Sequence, residues 1–346
     1  MTEQTIYMHV GAGKTGSTYL QSALANARRS LAALGIDYPL EPRAETRARL
    51  GRVTSGNLRP TDRLSETLDR YPGARDSQTL LWSNETLHLT LTQPDRPIAA
   101  SIREAFPDAR LKVLYYIRDP LDHAVSSYVQ VVKRNGFTDD LAAFLRRYDG
   151  PERLLMLDEV VRGLEGELTI LNYSRHRDDL KATFETWLGL DPGAIAEPDM
   201  PVVNRSLTRG ELELQRAFNA HLGILSSQVI SDPLCEYLPD IQPEQPALAR
   251  ADLAAFLDRM TTSLADPRLE ALIPEGEGYQ LPTLDAVADR FPDPAAEGTF
   301  AFSSAQLDLL ARALSIPISQ RTPELALKRN ERRKQATEGP RKTQGE

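Results

Sequence analysis

Apolar positions along the chain fall into two periods, and the two alternate. Short runs rich in β-branched, aromatic and leucine residues at 5–10, 79–83, 111–117 and 167–173 read as strands. Between and after them, apolar residues recur at helical spacing. Leu20, Leu24, Ala27, Leu31 and Leu34 predict a helix that Gly35 stops. Residues 98–109 read as a second helix, and positions 121, 125, 128, 129 and 132 as a third. The run 180–188 is a fourth, ended by Gly189-Leu190-Asp191-Pro192. Gly35-Ile36-Asp37-Tyr38-Pro39 predicts a further short strand closed by proline, and Phe302 to Leu314 a last helix capped at Ser303-Ser304. Strand alternating with helix predicts an α/β, three-layer fold whose mostly parallel central sheet is flanked by helices.

The remaining stretches set the organisation. Residues 1–215 read as the α/β core, with an insertion at about 41–77 that is either irregular or a pair of short helices. Residues 216–322 read as a mainly helical acceptor-side or lid region, since prolines and acids break short helices between 222 and 300. The last part, 323–346, carries Lys328-Arg329, Arg332-Arg333-Lys334 and Arg341-Lys342 among polar residues and reads as a disordered basic tail.

Composition narrows the chemistry. With 346 residues and a net charge of −8, the chain lacks the broad positive surface that nucleic acid requires, so a cationic site has to be local. The single Cys235 excludes an intrachain disulfide and a multi-cysteine metal site, which fits a reducing compartment. No segment reaches the roughly 18 apolar residues of a membrane helix, and residues 1–4 show no signal-peptide pattern. A soluble, cytoplasmic protein is expected. The oligomeric state is not legible.

The candidate chemistry starts where the first strand meets the first helix. Gly11-Ala12-Gly13-Lys14-Thr15-Gly16-Ser17-Thr18 places three glycines, a lysine and three hydroxyls there. Glycines let the backbone approach a ligand, N–H groups at a helix start favour negative charge, and Lys14 adds a full positive one. A phosphate or sulfate ester is the expected guest. A nucleoside-triphosphate loop, G-x-x-x-x-G-K-[ST], would need its opening glycine at position 8, which is Met8. A second anion corner lies where the strand 111–117 gives way to the helix at 121. Arg118 can fork onto a phosphate there, and Ser126, about two turns along, can add a hydroxyl. Two such corners imply a ligand with two separated phosphate-like groups.

The run Lys14-Thr15-Gly16-Ser17-Thr18-Tyr19 resembles the 5′-phosphosulfate loop of sulfotransferases that use 3′-phosphoadenosine 5′-phosphosulfate (PAPS), and Arg118, Pro120, Ser126 and Tyr128 are similar to their R-x-P-x-x-R-x-x-S-x-Y segment. The resemblance covers roughly residues 5–210. It implies a P-loop-like sulfotransferase fold of bacterial type, and transfer of a sulfuryl group from PAPS to a hydroxyl or amine, leaving 3′-phosphoadenosine 5′-phosphate (PAP). On the matching positions it implies that Gly13, Lys14, Thr15, Gly16, Ser17 and Thr18 hold the 5′ end, and that Arg118 and Ser126 hold the 3′-phosphate. Tyr173, followed by Trp187-Leu188-Gly189-Leu190, would lie near the adenine. Arg205, in Asn204-Arg205-Ser206-Leu207, would close over the nucleotide. Two positions depart from the pattern: His123 stands where arginine is usual, and Ser174 where an acid often follows the tyrosine.

Transfer would proceed in line, with Lys14 neutralising charge on the leaving phosphate and no metal required. A base should take the acceptor proton. Glu85, at the carboxyl end of a predicted strand, is the first candidate, with His88 and Glu41 as competitors. A glycan, lipid or small molecule remains open as acceptor. Two other readings stand beside this one: a nucleotide kinase or NTPase, with Asp119 as its metal-binding acid, and a non-catalytic nucleotide-binding protein.

Overall fold

A computed structural model describes residues 4–49, 56–58, 64–93, 97–198, 205–294 and 299–321. Five strands form one sheet: β1 (Thr5–Gly11), β2 (Ile36–Asp37), β3 (Thr79–Ser83), β4 (Arg110–Ile117) and β5 (Glu167–Asn172). The order across the sheet is β2-β3-β1-β4-β5, and every pair is parallel. The expected α/β architecture is therefore present. Because all strands run one way, the segments after β1, β3, β4 and β5 emerge at one edge. From β1 the chain passes to β2 and β3 on one side, then crosses to β4 on the other. The order thus reverses between β1 and β4, the place where open parallel sheets open a crevice.

Both faces of the sheet are covered, which is why the strands read as nearly continuous apolar runs. Ile6, Met8 and Val10 of β1 join Leu111, Val113, Tyr115 and Ile117 of β4 in one buried cluster. The alternate residues Tyr7, Leu114 and Tyr116 enter the other, with Leu20, Leu24, Leu180 and Phe184 from the helices Ser17–Asn26 and Leu180–Trp187. Period-two alternation thus assigns each side chain to a layer.

Several expectations are adjusted. The predicted 20–34 helix is two, Ser17–Asn26 and Arg28–Ala33, divided at Ala27. Among the described residues of 41–77 lie the helices Pro42–Arg49 and Leu64–Arg70 and a 3-10 turn at Pro72–Arg75. Gly56 and Asn57 close on the end of β3: Asn57 donates to the carbonyl of Leu81 (3.0 Å) and accepts from the N–H of Ser83 (2.8 Å). A Cβ on Gly56 would stand 1.7 Å from the Ser83 oxygen, and its φ of +75° suits glycine. The chain divides by contacts into two units: 1–128, 140–203 and 247–294, and 129–139, 204–246 and 295–346. A boundary near 215 does not follow this division, since 247–294 belongs with the sheet. The basic tail 323–346 lies outside the described residues.

The second unit contains the helices Arg209–Leu222 and Ser231–Tyr237 and a small apolar cluster around Ile230, Leu234 and Leu310. Arg205 is buried in it. Its guanidinium bonds both carboxylate oxygens of Glu211 (2.7 and 2.8 Å) and the carbonyls of Ser206 (2.9 Å), Leu234 (3.0 Å) and Leu238 (2.6 Å). That uses all five of its N–H groups. The expectation that Arg205 closes over a nucleotide is corrected on this ground, since a phosphate would find no donor left. Burial alone would raise the Glu211 carboxyl. Hydrogen bonds from Arg205, Gln306 and Thr208 outweigh it and hold the group below its ordinary value. Glu211 therefore contributes stability that is present above its unfolded pKa and lost as pH falls through the folded one. We expect Arg205→Ala to destabilise this unit by about 3–5 kcal/mol at neutral pH, read by urea unfolding, because a carboxylate is left buried and unpaired. A loss under about 1 kcal/mol would contradict the account.

Candidate functional site

Four segments meet at the carboxyl edge of the sheet: 11–19 after β1, 84–88 after β3, 118–126 after β4 and 173–180 after β5. The first forms the floor. Gly11 has φ +137°, and a Cβ there would stand 2.6 Å from Nδ1 of His88 and 2.7 Å from the carbonyl oxygen of Glu85. Only glycine lets the loop lie this close to the 84–88 segment. The Ala12 N–H continues onto the carbonyl of Tyr116 in β4 (3.0 Å), and the buried Thr15 donates its hydroxyl to the carbonyl of Ala12 (2.6 Å). Lys14 (φ +66°) and Gly16 (φ +80°) are left-handed. Left-handed residues within a turn gather successive N–H groups into a concave, anion-seeking surface. Gly16 begins the helix Ser17–Asn26 with no side-chain cap, so the start of that helix keeps its positive dipole end unsatisfied by any carboxylate of its own first turn. Ser17 is buried and Thr18 half-buried; the Tyr19 hydroxyl donates to Glu197 (2.5 Å).

Arg118 joins the two predicted corners. Its guanidinium donates to the carbonyl of Lys14 (2.9 Å) and lies 5.5 Å from the ring centroid of Tyr173. Tyr173 is held by its N–H on the carbonyl of Ile117 (2.8 Å), and with Leu180 it closes on Gly16, where a Cβ would be 3.1 Å from the Tyr173 ring and 2.3 Å from Leu180. The loop, Arg118 and Tyr173 are therefore neighbours. Ser126 sits half-buried about two turns along the helix Pro120–Asn135.

Of the three base candidates, Glu85 lies beside the glycine that precedes Lys14: its Cγ is 4.0 Å from where a Cβ on Gly13 would stand, and its carboxylate accepts from Gln21 (2.8 Å). His88 is buried beneath Gly11, its Nδ1 donating to the carbonyl of Val10 (3.1 Å). Burial pushes its pKa down to about 4 against the opposing pull of that bond. Glu41 instead faces Arg70 at 3.8 Å. Asp119, the acid a metal-dependent NTPase would need, accepts from the N–H of Gln280 (2.9 Å) and from Asn172 (3.3 Å).

Sequence reasoning missed the side chains that hold this edge together. Asn84 accepts from Thr86 and donates to the carbonyl of Leu58 (2.7 Å), shaping the turn that carries Glu85. Gln21 is a polar residue on the inner face of an apolar helix, a signal that was readable. Glu277 accepts from the N–H of Asn172 (2.5 Å) and from His176 (2.8 Å), and nothing in its proline-rich surroundings marks that. Among the described residues no group of three or more His, Cys, Asp or Glu side chains is arranged to hold a metal ion, and no helix is long and apolar enough to cross a membrane.

The buried imidazoles of His9 and His88 and the half-buried one of His123 give this unit an acid-sensitive stability. Burial pushes His9 down to about 3, and His88 and His123 to about 4. The unfolded chain then binds more protons than the folded one between pH 6.5 and 4, so stability falls as pH drops through that window. His176 works in the opposite sense: burial would lower it, but Glu277 and Asp179 raise it, and its contribution is lost on the alkaline side. Urea unfolding from pH 7 to pH 5 should show a loss on the order of 1–2 kcal/mol per buried imidazole. A flat profile would contradict the burial.

No family model matches the chain, and no curated protein matches it. Among solved structures it is similar to a sulfotransferase from Alicyclobacillus acidocaldarius, at 15% identity over 65% of this chain and 94% of that one, with a TM-score of 0.34.

Proposed function

We propose that this edge of the sheet binds PAPS and that the protein transfers its sulfuryl group to a hydroxyl or amine of a glycan, lipid or small-molecule acceptor. The observation that carries the reading is the bond from Arg118 to the Lys14 carbonyl, because it joins two cationic corners, over a hundred residues apart in the chain, into one local site on an acidic protein. Two further observations support it: glycines at 11 and 16 let the loop pack directly against the 84–88 segment and against Tyr173 and Leu180, and an aromatic ring lies beside the arginine.

In this reading the loop N–H groups of 13–18 bind the 5′ end, and Arg118 with Ser126 takes the 3′-phosphate. Tyr173 offers a face to the adenine. When bound, PAPS supplies the activated sulfuryl group. Lys14 would neutralise charge on the departing phosphate oxygen, and Glu85, oriented by Gln21, would accept the proton of the acceptor. His88 is the second choice as base, since burial pushes its pKa down to about 4 and makes it a weak proton acceptor. The nucleotide-kinase reading is weaker, with Met8 where its loop needs glycine and Asp119 engaged by Gln280.

Turnover of labelled PAPS against a panel of acceptors, with calorimetry of PAP and of ATP plus Mg²⁺, tests this. We expect PAP to bind and ATP not to compete. Lys14→Ala should lower turnover by about 10²–10³-fold, and Glu85→Gln by about 10²-fold or more. Full turnover in Glu85→Gln with none in His88→Ala would move the base to His88. Binding of ATP plus Mg²⁺ without binding of PAP would overturn the reading.

A further inference from the structure

We propose that His123 is a positioning residue for the anion loop, holding the Gly13 carbonyl so that the neighbouring N–H groups face the ligand. The proposal rests on the nucleotide reading above and deepens it. His123 Nε2 lies 3.1 Å from the carbonyl oxygen of Gly13, and Nδ1 lies 2.8 Å from the hydroxyl of Tyr148. A carbonyl only accepts, so Nε2 carries the proton. Nδ1 is then the acceptor, and the phenol of Tyr148 donates to it. One tautomer satisfies both contacts.

The far end of this relay is fixed. Tyr148 is buried, edge-on to His123 and to Phe256, with ring centroids 5.6 and 5.8 Å apart. Its own carbonyl accepts from Arg259 (2.8 Å). Gly150 wraps the phenol so closely that a Cβ would stand 2.4 Å from its oxygen. The imidazole therefore cannot swing away without unpacking the tyrosine.

The near end completes a series. Ala12, Gly13 and Lys14 present three consecutive carbonyls, and each has a side-chain donor: Thr15, His123 and Arg118 respectively. A peptide unit is planar and trans in the usual case, so holding a carbonyl oxygen on one side aims the next N–H to the other. His123 and Arg118 flank Lys14, whose left-handed φ of +66° is costly for a residue with a side chain and persists where its surroundings hold it on both sides. Burial keeps the imidazole neutral at neutral pH, its pKa pushed down to about 4 despite the bond to Gly13. This histidine therefore acts on the ligand through the loop, in place of the direct charge an arginine would bring.

The amide nitrogen of glutamine reaches the place of Nε2 and that of asparagine the place of Nδ1, so the two variants separate the contacts. Calorimetry on the full chain would compare PAP with adenosine 3′-phosphate, which has no 5′-phosphate for the loop. We expect His123→Asn to weaken PAP about tenfold and His123→Gln by no more than about twofold, with adenosine 3′-phosphate unchanged in both. Tyr148→Phe, which frees the tautomer, should weaken PAP severalfold and carries the test if His123→Asn does not fold. Unchanged PAP affinity in His123→Asn and Tyr148→Phe would overturn the proposal alone, as would an equal loss for both nucleotides. Failure of the wild-type chain to bind PAP would overturn the nucleotide reading and this proposal with it.

Discussion

The guanidinium of Arg118 on the carbonyl of Lys14 ties the end of β4 to the loop after β1, and most of the site follows from that tie. It is possible because β1 and β4 are adjacent and parallel, so that their carboxyl ends arrive together. It is also selective in direction. An arginine that holds a carbonyl from one side leaves the opposite side of the loop to its N–H groups, and a planar cation can hold one partner while presenting its face to Tyr173.

An acidic chain can hold an anionic ligand only by concentrating charge and dipoles locally. Here the concentration comes from backbone geometry as much as from side chains. One lysine, one arginine, the uncapped start of a ten-residue helix and two left-handed residues converge where β1 ends. Beneath them the floor is nearly dry: His9, Ser83, Asn84 and His88 are all buried. Fixed dipoles over a buried floor interact more strongly with charge than they would in water.

The strands and most helices were legible because a two-sided parallel sheet demands continuous apolar runs. The loop was legible because its glycines and lysine are contiguous. The contacts that lock the loop were less so. His123 reads in the sequence only as a departure from the arginine of the motif, since a motif carries no information about a neighbour such as Tyr148, which comes from a different helix junction. Asn57 behaves like a piece of strand by using its side-chain amide on β3, which periodicity cannot register. Arg205 lies in a suggestive tetrapeptide, but Glu211, six residues on, claims it while also closing a capping box with Thr208 at the start of the helix Arg209–Leu222. The role of 247–294 in the sheet unit was hidden by its prolines, which signal broken helices and say nothing about where those pieces pack.

The most direct measurement is a crystal structure of the chain grown with PAP. The account predicts the 5′-phosphate within hydrogen-bond distance of the N–H groups of the 13–18 loop, with the 3′-phosphate toward Arg118 and Ser126 and the adenine beside Tyr173. A nucleotide seated elsewhere, with the loop and Arg118 untouched, would contradict it.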